Sequence, residues 1–95
     1  MRPIHPGEVL REDYLMPLHL SSNALAQALR VPATRIHEIV NERRAVSADT
    51  AMRLGRFFST SAELWMNLQT SYDLRKAGVE FGERIASEVL PLKAA

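Results

Sequence analysis

The 95-residue sequence contains no cysteine, which excludes disulfide bonds and thiolate metal sites and suits a reducing compartment. Without such staples the fold must hold by packing alone. No run approaches the roughly 18 consecutive apolar residues that a membrane-spanning helix needs, and the first residues lack the basic-then-apolar order of a secretory signal. The sequence therefore reads as cytoplasmic, with no membrane partner. It also lacks a nucleophile motif, a glycine-rich phosphate loop and zinc-ligand spacing. His5, His19 and His37 keep no ligand spacing with one another or with a carboxylate pair, so no metal is expected, and His5 and His19 read as surface histidines. Glu8, Glu12 and Asp13 fall in one helical stretch, where interaction with the helix dipole is a plainer role than paired acid–base chemistry. No catalytic residue and no cofactor emerge, so the expectation is a binding protein and not an enzyme.

What is present is an ordinary globular composition, 46% hydrophobic and 24% charged, in a length that fits one domain. The formal net charge is only +1, but its distribution is uneven: six arginines against three acids lie between Arg30 and Arg56, and both flanks are slightly acidic. Pro6, Gly7 and Glu8 suit the first turn of a helix that runs to about Met16, with Val9, Leu10 and Tyr14 on its apolar side and Pro17 as its stop. Ser21 or Ser22 caps a second helix through Leu29, with Leu25, Ala28 and Leu29 on one side. Arg30, Val31 and Pro32 break the pattern, and a third helix follows from Ala33 to about Asn41. Ser47 caps a fourth, with Asp49 in its first turn and Ala51, Leu54 and Phe58 as its buried stripe. Thr60 and Ser61 start a longer fifth helix with Leu64, Leu68 and Tyr72 in register, which Gly78 is expected to end. Phe81, Ile85 and Val89 allow a short sixth helix, interrupted by Gly82 and closed by Pro91. The domain boundaries expected are 1–78 for the helical domain with its dimerisation helix and 79–95 for a C-terminal extension.

A seven-residue helix, a three-residue break and a nine-residue helix make the outline of a helix-turn-helix. Ala26 supplies the small side chain the crossing needs, and Leu25, Leu29 and Val31 fill the space beneath. Ile36, Ile39 and Val40 point inward at i, i+3 and i+4. The opposite side of the third helix then carries Thr34, His37, Glu38 and Asn41, with Arg35 at its margin and Ala33 at its N-terminal end. Ala33, Thr34, Arg35, His37 and Glu38 are the candidate readers of base edges in a major groove. Asn23, Gln27, Asn41, Arg43 and Arg44 are candidate phosphate contacts. Taken alone, a polar stripe of this kind is also what any solvated helix face presents. Trp65, the only tryptophan, serves equally as a core anchor or an interface anchor.

The segments His5-Pro6-Gly7-Glu8-Val9-Leu10-Arg11-Glu12, Asn23-Ala24-Leu25-Ala26, Arg35-Ile36-His37-Glu38-Ile39-Val40-Asn41, Ala51-Met52-Arg53-Leu54, Leu64-Trp65-Met66-Asn67-Leu68-Gln69 and Tyr72-Asp73-Leu74 resemble the compact antitoxins of the HigA type, also called VapI-like. These lie within the wider Xre and lambda-repressor class. The resemblance spans residues 5–75 or so. It implies an all-α, compact five-helix lambda-repressor-like helix-turn-helix domain that binds double-stranded operator DNA as a homodimer and represses its own operon. It further implies a partner, a HigB/RelE-like mRNA-cleaving toxin. The dimer contact expected is Leu64, Trp65, Leu68 and Tyr72. Three positions depart from the family pattern: Arg30, Glu42 and Ser59 stand where glycine is usual. Two alternatives stand beside this reading, a stand-alone Xre-family repressor without a toxin and a helical adaptor that binds only protein.

Overall fold

The computed structural model describes residues 2–93, and all regular structure among them is helical. Helix α1 covers Pro6–Val9 and continues as a π-helical segment over Leu10–Leu15. Helix α2 spans Ser22–Leu29, α3 spans Ala33–Val40, α4 spans Ala48–Phe58 and α5 spans Ala62–Glu88. The starts follow hydroxyl caps as the sequence predicts. Ser21 Oγ accepts from Ala24 N at 3.0 Å, Ser47 Oγ from Thr50 N at 3.3 Å and Ser61 Oγ from Leu64 N at 3.0 Å.

The core gathers one or more side chains from every helix: Leu10, Leu15, Leu25, Ala26, Leu29, Ile36, Ile39, Ala51, Leu54 and Trp65, with Val46 from the α3–α4 loop. Burying each large aliphatic side chain stabilises the fold by about 1.5–3 kcal/mol. Helices α2 and α3 pack on one another, Ala26 of α2 is buried in the core, and α1 packs against α3. That last contact needs glycine. A Cβ on Gly7 would stand 1.8 Å from the Ile39 carbonyl oxygen, so the two backbones meet directly.

At three C-termini the chain turns by entering the left-handed region: Arg30 at φ 61° after α2, Glu42 at φ 62° just beyond α3, and Ser59 at φ 56° after α4. These are the three positions where glycine is usual in the family pattern. The turn geometry is thus kept although the residue is not, at a cost of about 1 kcal/mol each. His19, at φ 52°, is a fourth such residue and closes the turn after the π segment.

Three sequence expectations need correction. Gly78 does not end α5, which runs unbroken through Gly78 and Gly82 to Glu88, so no separate sixth helix forms. A helical glycine costs about 1 kcal/mol relative to alanine, too little to stop a helix flanked by good helix formers. The helix stops instead ahead of Pro91, whose ring disfavours helical geometry in the residue before it. On α5, Trp65 and Gln69 are buried, Leu64 is exposed, and Leu68 and Tyr72 are half-buried, so all but Trp65 of the expected dimer-contact residues reach the surface. Ala28 is exposed, and Ala26 takes its place on the inner side of α2. His5, finally, is not a surface histidine: it is only 3% exposed.

Two stability changes test this account. Gly7→Ala is expected to destabilise the domain by about 2–3 kcal/mol through overpacking against Ile39. Arg30→Gly and Ser59→Gly are each expected to stabilise it by about 1 kcal/mol, raising the melting temperature by roughly 4–8 °C. Thermal denaturation followed by circular dichroism checks both signs.

Candidate nucleic-acid interface

Ile36 and Ile39 are completely buried, which fixes the rotation of α3. On the reverse side Ala33, Thr34, His37 and Asn41 are exposed, and Arg35 and Glu38 are half-buried. The N-cap residue of α3 is Pro32, which offers no side-chain acceptor. The first turn of α3 therefore lacks the hydroxyl cap that α2, α4 and α5 possess, and Arg35 N bonds instead to the Pro32 carbonyl at 3.1 Å.

The predicted contact residues differ in how they are held. His37 Nε2–H donates to Asn23 Oδ1 at 2.9 Å, tying the candidate reader on α3 to the candidate phosphate contact on α2. Gln27 is exposed on α2. Arg44 lies 2.5 Å from Glu38 Oε1, so those two side chains partly neutralise one another. Arg35 NH1 lies 2.7 Å from Asp49 Oδ2. Arg43 is exposed and pairs with no carboxylate among the described residues. Arg30 and Arg56 are likewise exposed and without an acidic partner there. The basic third of the chain thus keeps three uncompensated guanidinium groups.

Several residues that shape this surface escaped the sequence reading because their roles are long-range. Arg11, on the π segment, donates from NH1 to the Val40 carbonyl at 2.5 Å and from NH2 to Glu42 at 3.3 Å. It satisfies the C-terminal end of α3 and also neutralises the carboxylate at the left-handed position beside it. Arg53 NH1 donates to the Leu29 carbonyl at 2.8 Å, doing the same for α2. Gln69 is buried on α5. Its Oε1 accepts from Val46 N at 2.8 Å and its Nε2 donates to Asp73 at 2.9 Å, anchoring the loop that carries Arg43 and Arg44. Only the unusual placement of a glutamine on the inner face of an amphipathic helix could have flagged it.

Hydrogen bonds from Arg53 and then from Arg35 hold the Asp49 carboxyl below its usual range. His5 Nδ1 accepts from Gly7 N at 2.8 Å, and its ring meets Tyr72 edge-on at 4.8 Å. Burial pushes the imidazole below its ordinary value, against weaker upward pulls from Glu42 and Asp73.

Of the four residues expected at a dimer contact, Trp65 is now excluded from any surface role. It is wholly buried within the protomer, where its indole donates to Thr60 Oγ1 at 3.0 Å and its ring lies 5.1 Å from that of Tyr14. Tyr72 is occupied by His5. Exposed apolar side chains instead concentrate on the outer half of α5, with Leu74 at 69%, Phe81 at 45% and Ile85 at 53%.

Comparison with known proteins bears on this geometry. No protein-family model matches the chain. Virulence-associated protein I of Dichelobacter nodosus is 51% identical over 92 residues, covering 97% of this chain and 83% of that protein. The structure of the Pseudomonas aeruginosa antitoxin HigA with the higBA promoter superposes with a TM-score of 0.94 at 52% identity, covering 97% of this chain and 100% of that one. The chain belongs to the HigA family of helix-turn-helix antitoxins. A third relative, the antitoxin GraA in complex with its operator, matches with a TM-score of 0.94 at 47% identity, over 99% of this chain and 95% of that one. The HigA fold therefore extends here through the whole of α5. Among the described residues no helix is long and apolar enough to cross a membrane.

The buried His5 gives a pH test. Because its folded-state value is lowered, the unfolded chain takes up the proton first as pH falls. Stability is complete above about pH 6.5, the ordinary value for histidine, and declines as pH drops below it. In His5→Asn, which keeps a capping acceptor, the melting temperature is expected to be lower at pH 7 but less dependent on pH between about 7 and 5.

Proposed function

We propose that this HigA-family protein is an operator-binding antitoxin that represses its own operon and neutralises a HigB/RelE-like mRNA-cleaving toxin, acting in the cytoplasm by binding and not by catalysis. The observation that carries the DNA-binding part is the orientation of α3. Its apolar side is consumed by the core, and its N-terminal turn and polar side stand clear of the body. Ala33, Thr34, Arg35, His37 and Glu38 are assigned to base edges. Asn23, Gln27, Asn41, Arg43 and Arg44 are assigned to phosphates. The presence of operator or promoter DNA in the structures of HigA and GraA supports the DNA-binding reading. Their designation as antitoxins supports the toxin partner.

A homodimer reading a palindrome follows from the same proposal, with its two recognition helices about 34 Å apart. Its contact is assigned to the outer half of α5, beginning beyond Leu64 and Leu68. Leu74, Gly78, Phe81 and Ile85 recur at intervals of four, three and four residues and so form one stripe. A Cβ built on Gly78 or on Gly82 meets nothing within 4 Å, so a partner helix has room to approach closely.

Three measurements test the proposal. Affinity for the DNA upstream of the gene, followed by gel shift, is expected to fall steeply with salt. Arg43→Ala and Arg44→Ala should each reduce the log–log slope by about 1, while Thr34→Ala chiefly erodes sequence preference. Unchanged binding in all three variants would mean that another surface meets the DNA. Ile85→Glu is expected to convert a dimer into a species of 10.7 kDa by light scattering. Co-expression with the product of an adjoining toxin-like reading frame should yield a copurifying complex. Persistent absence of that complex would favour the stand-alone repressor.

A further inference from the structure

Arg35 is the side chain on α3 best suited to take two acceptors of one base, yet it does not extend freely. Its NH1 donates to Asp49 Oδ2 at 2.7 Å. The same carboxylate oxygen accepts from Arg53 Nε at 3.0 Å, and Arg53 NH1 donates onward to the Leu29 carbonyl at 2.8 Å. One carboxylate in the first turn of α4 thereby joins the recognition helix to the end of α2. Asp49 itself is exposed. A carboxylate on a face that meets a polyanion repels phosphates, so its direct effect on DNA affinity is unfavourable. What it offers in exchange is orientation. A guanidinium carries five donors in a planar fork, and fastening one of them restricts the directions in which the others can reach.

We infer that Asp49 is a positioning residue for base recognition, holding Arg35 through one edge of its guanidinium so that the remaining donors are presented to a single base pair. Arg53 completes the arrangement by holding the same carboxylate from the far side and tying it to the α2 terminus. The inference rests on the proposed function, in which α3 enters the major groove. It goes further by assigning sequence discrimination to a residue outside α3. Arg35 is prepared for its base before DNA arrives, in place of searching rotamers upon it. Pre-organisation of this kind sharpens the choice of base more than it raises overall affinity, because the anchoring charge repels nearby phosphates whatever the base sequence.

The test is selection of a randomised duplex pool by the full-length protein, followed by affinity measurements on the winning sequence and all its single-base-pair variants. Arg35→Ala is expected to lower the preference at one base pair of each half-site by about tenfold. Asp49→Ala is expected to lower the preference at that same base pair by about threefold or more, while binding to unselected duplex is maintained or rises. In the Arg35→Ala background, Asp49→Ala should change that preference no further. Asp49→Asn keeps the shape of the α4 first turn and an acceptor oxygen, so it should show the same position-specific loss at smaller amplitude. Melting curves of each variant show whether the domain is intact. Loss in Arg35→Ala without any loss in either Asp49 variant would overturn this inference alone. So would a loss spread evenly over all positions, the mark of a merely structural role. An unchanged preference in Arg35→Ala would instead remove the assignment of Arg35 to a base, and this inference with it.

Discussion

The burial of Ile36 and Ile39 is the constraint on which the rest of the structure depends. Both side chains are completely removed from solvent, and a helix of eight residues anchored at two points three residues apart cannot rotate without exposing one of them. Everything on the outer side of α3 is placed by that anchoring. The support beneath it is unusually direct, since Gly7 lets the backbone of α1 press on the Ile39 carbonyl. His5 in turn fixes the start of α1 by capping Gly7 and packing on Tyr72. The chain that positions the recognition helix thus begins in the first few residues and includes a side chain from α5.

The same economy appears at the helix ends. Arg11 closes α3 and Arg53 closes α2, each by donating to a terminal carbonyl that no intrahelical partner reaches. In a protein whose formal net charge is only +1, several arginines are therefore committed to structure, and others balance Glu38 and Asp49. Binding to a polyanion does not require a high overall charge when exposed guanidinium groups such as Arg30 and Arg43, which flank α3 in sequence, pair with no carboxylate among the described residues. Glu42 illustrates the complementary device. Its negative charge near that face is offset by Arg11 at 3.3 Å, and the residue's left-handed backbone is what brings the two together.

Local signals carried much of the fold. Serine caps, proline breaks and the spacing of Leu25, Leu29, Ile36 and Ile39 each act through neighbours within one or two helical turns, so they are readable in order along the chain. The same holds for Ala33, Thr34, His37 and Asn41, whose exposure follows once the inner face is known. Where local rules misled, competing terms were small. Gly78 and Gly82 weaken a helix without breaking it.

By itself the sequence determined the number and order of the first four helices, the helix-turn-helix, and its inner and outer faces. Tertiary structure alone decided which polar groups meet across the fold: His5 against Tyr72 of α5, Arg11 at the end of α3, Gln69 under the α3–α4 loop, and Asp49 between Arg35 and Arg53. The physical reason is one of range. Caps and periodicity are settled by chain geometry over a few residues, whereas a hydrogen bond from a side chain to a group fourteen or more positions away exists only after the helices have packed.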